Sequence, residues 1–133
     1  MSNGSVRRCR TFSMAVIAAF TLCVIFLAEI AAADTVQARK DIKAMGLEYT
    51  GQDFAKAAGN GDTTAVQLFL DAGMDVNSGG SAAIGLAAGR GQLKMVKFLL
   101  SKGAKPTSNA LQYARTRGHK EIEKILIEAG AKE

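Results

Sequence analysis

Apolar and polar positions divide the chain into two stretches with different patterns. From Met14 to Ala28 the run MAVIAAFTLCVIFLA has Thr21 as its single polar side chain, and Arg7, Arg8 and Arg10 precede it. Beyond residue 33 the apolar positions come in short blocks at helical spacing, separated by glycines. These blocks predict short first helices at Phe54 to Ala58, Ile84 to Ala88 and Leu111 to Ala114. They predict second helices over Thr64 to Ala72, Leu93 to Lys102 and Lys120 to Ala129, each with one broad apolar stripe.

The blocks repeat. With Ala57, Ala87 and Ala114 aligned, Gly61, Gly91 and Gly118 follow four residues later, and Gly73, Gly103 and Gly130 follow twelve residues after those. The unit Ala-x3-Gly-x11-Gly therefore occurs three times with unchanged spacing. The first glycine of each unit is placed to reverse the chain and the second to close a helix, since glycine takes positive φ at little cost. Thr50, Ser81 and Ser108 are the expected N-caps, each offering a side-chain oxygen to the free amides of a first turn. A single helix pair cannot bury its apolar face, so the pairs must stack.

These residues resemble the ankyrin repeat. Gly61-Asp62 through Leu68-Phe69-Leu70-Asp71-Ala72-Gly73-Met74-Asp75-Val76-Asn77 is similar to the family's second helix and its closing Gly-Ala-Asp-Val-Asn. Gly91-Gln92-Leu93 through Lys102-Gly103-Ala104 and Gly118-His119-Lys120 through Ala129-Gly130-Ala131 are similar again, so the likeness runs from about Tyr49 to Ala131. It implies an all-α solenoid of about three helix-turn-helix repeats. The family's Thr-Pro-Leu-His is absent, its places being taken by Gln52-Asp53-Phe54-Ala55, Ala82-Ala83-Ile84-Gly85 and Asn109-Ala110-Leu111-Gln112. Gly73 to Ala87 spans 14 residues and Gly103 to Ala114 spans 11, so the hairpin loops are expected to be short, the second little more than a turn around Pro106.

The ends of the array are expected to be capped, because terminal units need polar outer faces. Where the first two repeats have Ala58 and Ala88 the third has Arg115, and where they have Val66 and Val96 it has Glu123. At the other end Ala38, Ile42 and Met45 stand at helical spacing ahead of Gly46, predicting an N-terminal capping helix with Arg39, Lys40, Asp41 and Lys43 toward solvent. The expected organisation is a leader over 1–33, a capping helix over 34–48, and repeats over about 49–78, 79–107 and 108–133.

The first stretch reads as a targeting segment. A basic start, an apolar run and the small residues Ala31, Ala32 and Ala33 describe a secretory signal peptide cleaved between Ala33 and Asp34. The alternative is an uncleaved anchor, since Met14 to Ala33 is twenty residues, enough to cross a bilayer core of about 30 Å. In either case the arginines stay on the cytoplasmic side and the remainder is exported, to a bacterial periplasm or an equivalent exterior compartment, or faces the exterior from a membrane.

Charge and chemistry change this picture little. The 133 residues carry a net charge of +5, but residues 34–133 hold 14 basic and 11 acidic side chains, a net of +3. Both cysteines, Cys9 and Cys23, precede residue 34, and His119 is the one histidine, so a disulfide framework, a zinc site and a Cys/His catalytic pair lack their residues. No cofactor is expected, and an enzyme would need groups supplied from elsewhere. Glu121, Glu123 and Glu128 lie beside Lys120 and Lys124 as a solvated helix face. His119 is read as a capping or packing residue, and Ser78-Gly79-Gly80-Ser81 and the glycines from Gly85 to Gly91 are read as turns. Lys94, Lys97, Lys102, Lys120 and Lys124 fall on second helices, and without interleaved aromatic residues they do not indicate nucleic acid.

In ankyrins the first helices line the concave face. The resemblance therefore assigns partner contact to Lys56, Asn60, Leu86, Arg90, Tyr113 and Arg117, the competing role being packing for Leu86 and Tyr113 and plain solvation for the arginines. The function expected is a non-enzymatic, monomeric scaffold that binds a protein partner. A structural element of the envelope, tethered by the uncleaved anchor, is the second expectation.

Overall fold

The computed structural model describes residues 33–132, and Thr35–Glu133 forms one compact unit. The leader and its cleavage or anchoring lie outside the described residues, apart from Ala33 and Asp34. Among the described residues there are seven helices and no strand. Helix α1 covers 33–44, followed by α2 (Gly51–Asn60), α3 (Thr63–Asp71), α4 (Ser78–Gly89), α5 (Leu93–Ser101), α6 (Ser108–Thr116) and α7 (Lys120–Glu128).

The repeat is carried by its glycines. Gly61, Gly91 and Gly118 reverse the chain between paired helices with φ of 79°, 74° and 76°, and Gly73, Gly103 and Gly130 follow the second helices with φ of 88°, 89° and 98°. An L side chain at such angles pushes its Cβ against the following carbonyl, so glycine is the residue that fits all six turns. The three helix pairs stack in two layers, α2, α4 and α6 in one and α3, α5 and α7 in the other. The first layer is the more closely packed, which alanine and glycine on facing surfaces allow.

The core runs through all three repeats at aligned positions. Phe54, Ile84 and Leu111 come from the first helices, and Phe69, Leu99 and Leu126 from the second, all essentially inaccessible. Phe54 meets Phe69 edge to face, with ring centroids 5.7 Å apart at 72°. No buried side-chain nitrogen or oxygen among the described residues lacks a hydrogen-bond partner.

The two caps take different forms. Helix α1 buries Ala38 and Ile42, and the Arg39 guanidinium lies 4.7 Å from the centroid of Tyr49. Tyr49 in turn stacks on Phe69 and donates its hydroxyl hydrogen to the Ala72 carbonyl at 3.1 Å. Met45, expected on the buried edge, lies instead in the turn after α1 and is exposed, while Leu47 packs on the core. The helix stops one residue too early to turn Met45 inward. At the other end Arg115 Nε donates to Glu123 Oε1 at 2.6 Å. The two charges that replace a buried alanine and a buried valine thus pair with each other across α6 and α7.

Two local expectations are corrected. Thr50 does cap α2, accepting from the Asp53 amide at 3.2 Å, but Ser108 lies inside α6, and Thr107 is the cap, accepting from the Ala110 amide at 3.2 Å. Ser81 caps nothing. Gly79, Gly80 and Ser81 form a left-handed turn with φ of 69°, 69° and 64°, and the right-handed part of α4 follows it. These three residues account for the difference between the 14- and 11-residue spacings of the two connections. Ser81 is buried, and its hydroxyl donates to Asn77 Oδ1 at 3.3 Å, which holds a non-glycine residue in a conformation it otherwise avoids. The Asn77 side chain also joins adjacent loops, accepting from the Lys105 amide at 2.8 Å and donating to the Gly103 carbonyl at 3.4 Å.

Candidate protein-binding face

The first-helix layer places the six expected contact residues on one side of the array. Asn60 ends α2, and Arg90 and Arg117 occupy the equivalent places immediately after α4 and α6. Lys56, Leu86 and Tyr113 stand four residues earlier in each repeat, one helical turn back on the same face. Leu86 and Tyr113 are 36% and 50% exposed, so neither is consumed by packing.

The four side chains of the second and third repeats lean on the repeat before them. Arg90 lies over Gly59, where a Cβ would come within 3.4 Å of Arg90 Cδ and 3.2 Å of Leu86 Cβ, and Arg90 Nη1 donates to Asn60 Oδ1. Tyr113 lies over Gly85 and Gly89, where added Cβ atoms would meet its ring at 3.7 Å and its Cβ at 3.4 Å. Arg117 Nη1 donates to the Gly89 carbonyl at 3.2 Å. Leu86, Arg90, Tyr113 and Arg117 surround a groove of about 360 Å³ floored by Gly85 and Gly89. Leu86 also borders a neighbouring depression of about 720 Å³ beside Gln52, Ala55, Lys56 and Ala82. Four of the six expected residues therefore meet in one groove, Asn60 supports it, and Lys56 belongs to the depression next to it.

Gly85 lies inside α4, within the predicted first helix, and Gly89, expected in a turn, lies inside the same helix. Their role is to admit the aromatic ring and the chain of the next repeat. Gly59, aligned with Gly89, does the same for Arg90, and neither was expected at the site. The signal at Gly85 and Gly89 is glycine at positions i and i+4 of a helical block, and at Gly59 a single glycine near a helix end, each costly unless something packs close.

A second ladder lies at the turns. The Gln92 side chain sits against Gly61 and donates to the Asn60 carbonyl at 3.4 Å, and the His119 imidazole sits against Gly91. His119 is therefore a packing residue and makes no side-chain cap bond to α7, whereas its counterpart Asp62 caps α3 by accepting from the Ala65 amide at 3.1 Å. The lysines at 94, 97, 102, 120 and 124 are exposed on the opposite, second-helix side.

Lys56 is held by Asp53, 3.0 Å away, and the same carboxylate accepts from the Glu48 amide at 3.0 Å. The Glu48 amide first, and then the Lys56 ammonium, hold the Asp53 carboxyl below the usual carboxylate range. A folded-state pKa below the unfolded one gives stabilisation that is full above the unfolded value and is lost as pH falls through the folded value. Asp53→Asn is therefore expected to melt below wild type at pH 7, with the gap closing under about pH 4. Thermal unfolding followed by circular dichroism from pH 7 to pH 2 checks this, and a gap that stays constant with pH would reject it.

The model for ankyrin repeats in three copies matches residues 54–133. The chain belongs to the ankyrin-repeat family. Among curated proteins and solved structures, none matches it. Ankyrin repeats generally mediate protein–protein interaction through a non-catalytic fold.

Proposed function

We propose that the protein is an exported, non-enzymatic, monomeric scaffold that binds a protein partner through the first-helix face. The observation that carries this reading is the groove between α4 and α6. There two arginines and a half-exposed tyrosine are held in fixed positions by the preceding repeat and remain accessible. Arginine and tyrosine are favoured interface anchors because each joins apolar area to directional hydrogen bonding.

Export is supported by the basic, apolar and small-residue succession of residues 7–33, with release after Ala33. Mass spectrometry of the mature N-terminus tests it. A chain starting at Asp34 supports release into a periplasm or the medium, and an intact Met14 to Ala33 supports a tethered envelope element instead.

Replacing both Arg90 and Arg117 by alanine is expected to weaken partner capture about 10- to 100-fold, the effect of losing one or two interface anchors. The helical circular dichroism should be unchanged, since both side chains lie at the surface. Capture from the exported fraction at undiminished strength would reject this face.

A further inference from the structure

The charge around the groove is one-sided. Arg90 donates to the Asn60 amide oxygen and Arg117 to the Gly89 carbonyl, both neutral acceptors. Each bond uses one of a guanidinium's five N–H donors, orienting the group without neutralising it. Among the described residues neither arginine is in an ion pair. Arg115, two residues from Arg117 on the same segment, is by contrast paired with Glu123. Helices α4 and α6 contain no Asp or Glu, and Asp53, the acidic residue of α2, already receives the Glu48 amide and Lys56. Carboxylates are kept off this face while basic groups are placed on it.

We propose that the groove takes an extended acidic peptide segment whose two carboxylates stand three residues apart, one on Arg90 and one on Arg117. This rests on the first-helix face being the binding face. The arginines occupy equivalent positions in adjacent repeats, so they are spaced by one helix-to-helix step, roughly 8–10 Å. A polyproline-type segment advances about 3.1 Å per residue with three residues per turn, so residues i and i+3 share a side about 9 Å apart. A β-strand repeats its side every two residues, at about 7 Å, and fits the step less well. Planar guanidinium and carboxylate groups pair through two parallel bonds. Leu86 and the exposed Tyr113 ring offer the apolar surface on which the intervening residues rest. Polyanion binders neutralise many phosphates at once, whereas two unpaired guanidiniums are too few for that and suit a short segment.

The test uses the full chain in uncharged detergent micelles and fluorescein-labelled proline-rich nonapeptides read by anisotropy. A peptide with two glutamates three residues apart is expected to bind at least ten-fold more tightly than its glutamine counterpart and than one with the glutamates two apart. Binding should fall to the glutamine level in the Arg90→Gln, Arg117→Gln double variant and be unchanged in Lys94→Gln, Lys97→Gln. Equal binding of the glutamate and glutamine peptides, or loss in the lysine variant, overturns the proposal. Tighter binding of phosphatidylglycerol vesicles or single-stranded DNA, lost with the arginines, also overturns the acidic peptide as occupant while leaving the face intact. A photocrosslinker at position 86 separates the two levels. Crosslinking to a partner that depends on the arginines but is not competed by the glutamate peptide sinks this proposal alone, and arginine-independent crosslinking sinks the binding face as well.

Discussion

Phe69→Ala is expected to cost about 3–5 kcal/mol, a large share of the roughly 5–15 kcal/mol that holds a domain folded. Phe69 is fully buried, meets Phe54 edge to face, and carries Tyr49 on its other side. Tyr49 is the residue on which Arg39 rests, so truncating Phe69 removes the support of the N-terminal cap together with a core contact. In a stacked array each repeat is stabilised chiefly by its neighbours. Loosening α1 and the first pair should therefore spread to α4 and α5. Urea unfolding followed by helical circular dichroism should show a midpoint shift far larger than that of Val36→Ala, which alters an exposed position and is expected to stay within about 0.5 kcal/mol. A loss below about 1 kcal/mol for Phe69→Ala would mean that the first repeat is not coupled to the rest in this way.

The stacking order, the turn glycines and the two caps were legible because each depends on short-range spacing. A glycine four residues past an alanine and twelve before another glycine fixes where the backbone must reverse, and all six such residues adopt positive φ. Arg115 and Glu123 were legible as a cap from alignment alone, and the structure adds that they pair. What escaped was handedness and long-range contact. The three additional residues in the first turn of α4 were visible in the spacing, but counting does not reveal that they wind left-handed. Ser81 tolerates this because Asn77 is placed to accept its hydroxyl. Likewise the face carrying Arg90 and Arg117 was readable by resemblance, but the seats that orient them, Gly59 and Gly89, are 31 and 28 residues away in the chain. Periodicity within a helix carries no trace of such a partner. It shows only as two glycines where a helix gains nothing from them.

The turn ladder gives a sharper test of how the repeats lock together. At Gly118 a Cβ would meet open space, whereas at Gly91 it would lie 2.7 Å from the His119 imidazole. Both glycines have nearly the same φ, 76° and 74°, so alanine imposes the same backbone strain at each, about 1–2 kcal/mol. Gly118→Ala should cost that amount alone. Gly91→Ala should cost about 1 kcal/mol more, because the imidazole has to rotate out and give up its seat against the preceding turn. The excess belongs to the pair, so it should vanish in a His119→Ala background, leaving a coupling of about 1 kcal/mol in a double-mutant cycle measured by urea unfolding. Equal costs at the two glycines, or a coupling near zero, would show that His119 is a bystander at the turn. The inter-repeat lock would then rest on the first-helix layer and the Asn77 loop bridge.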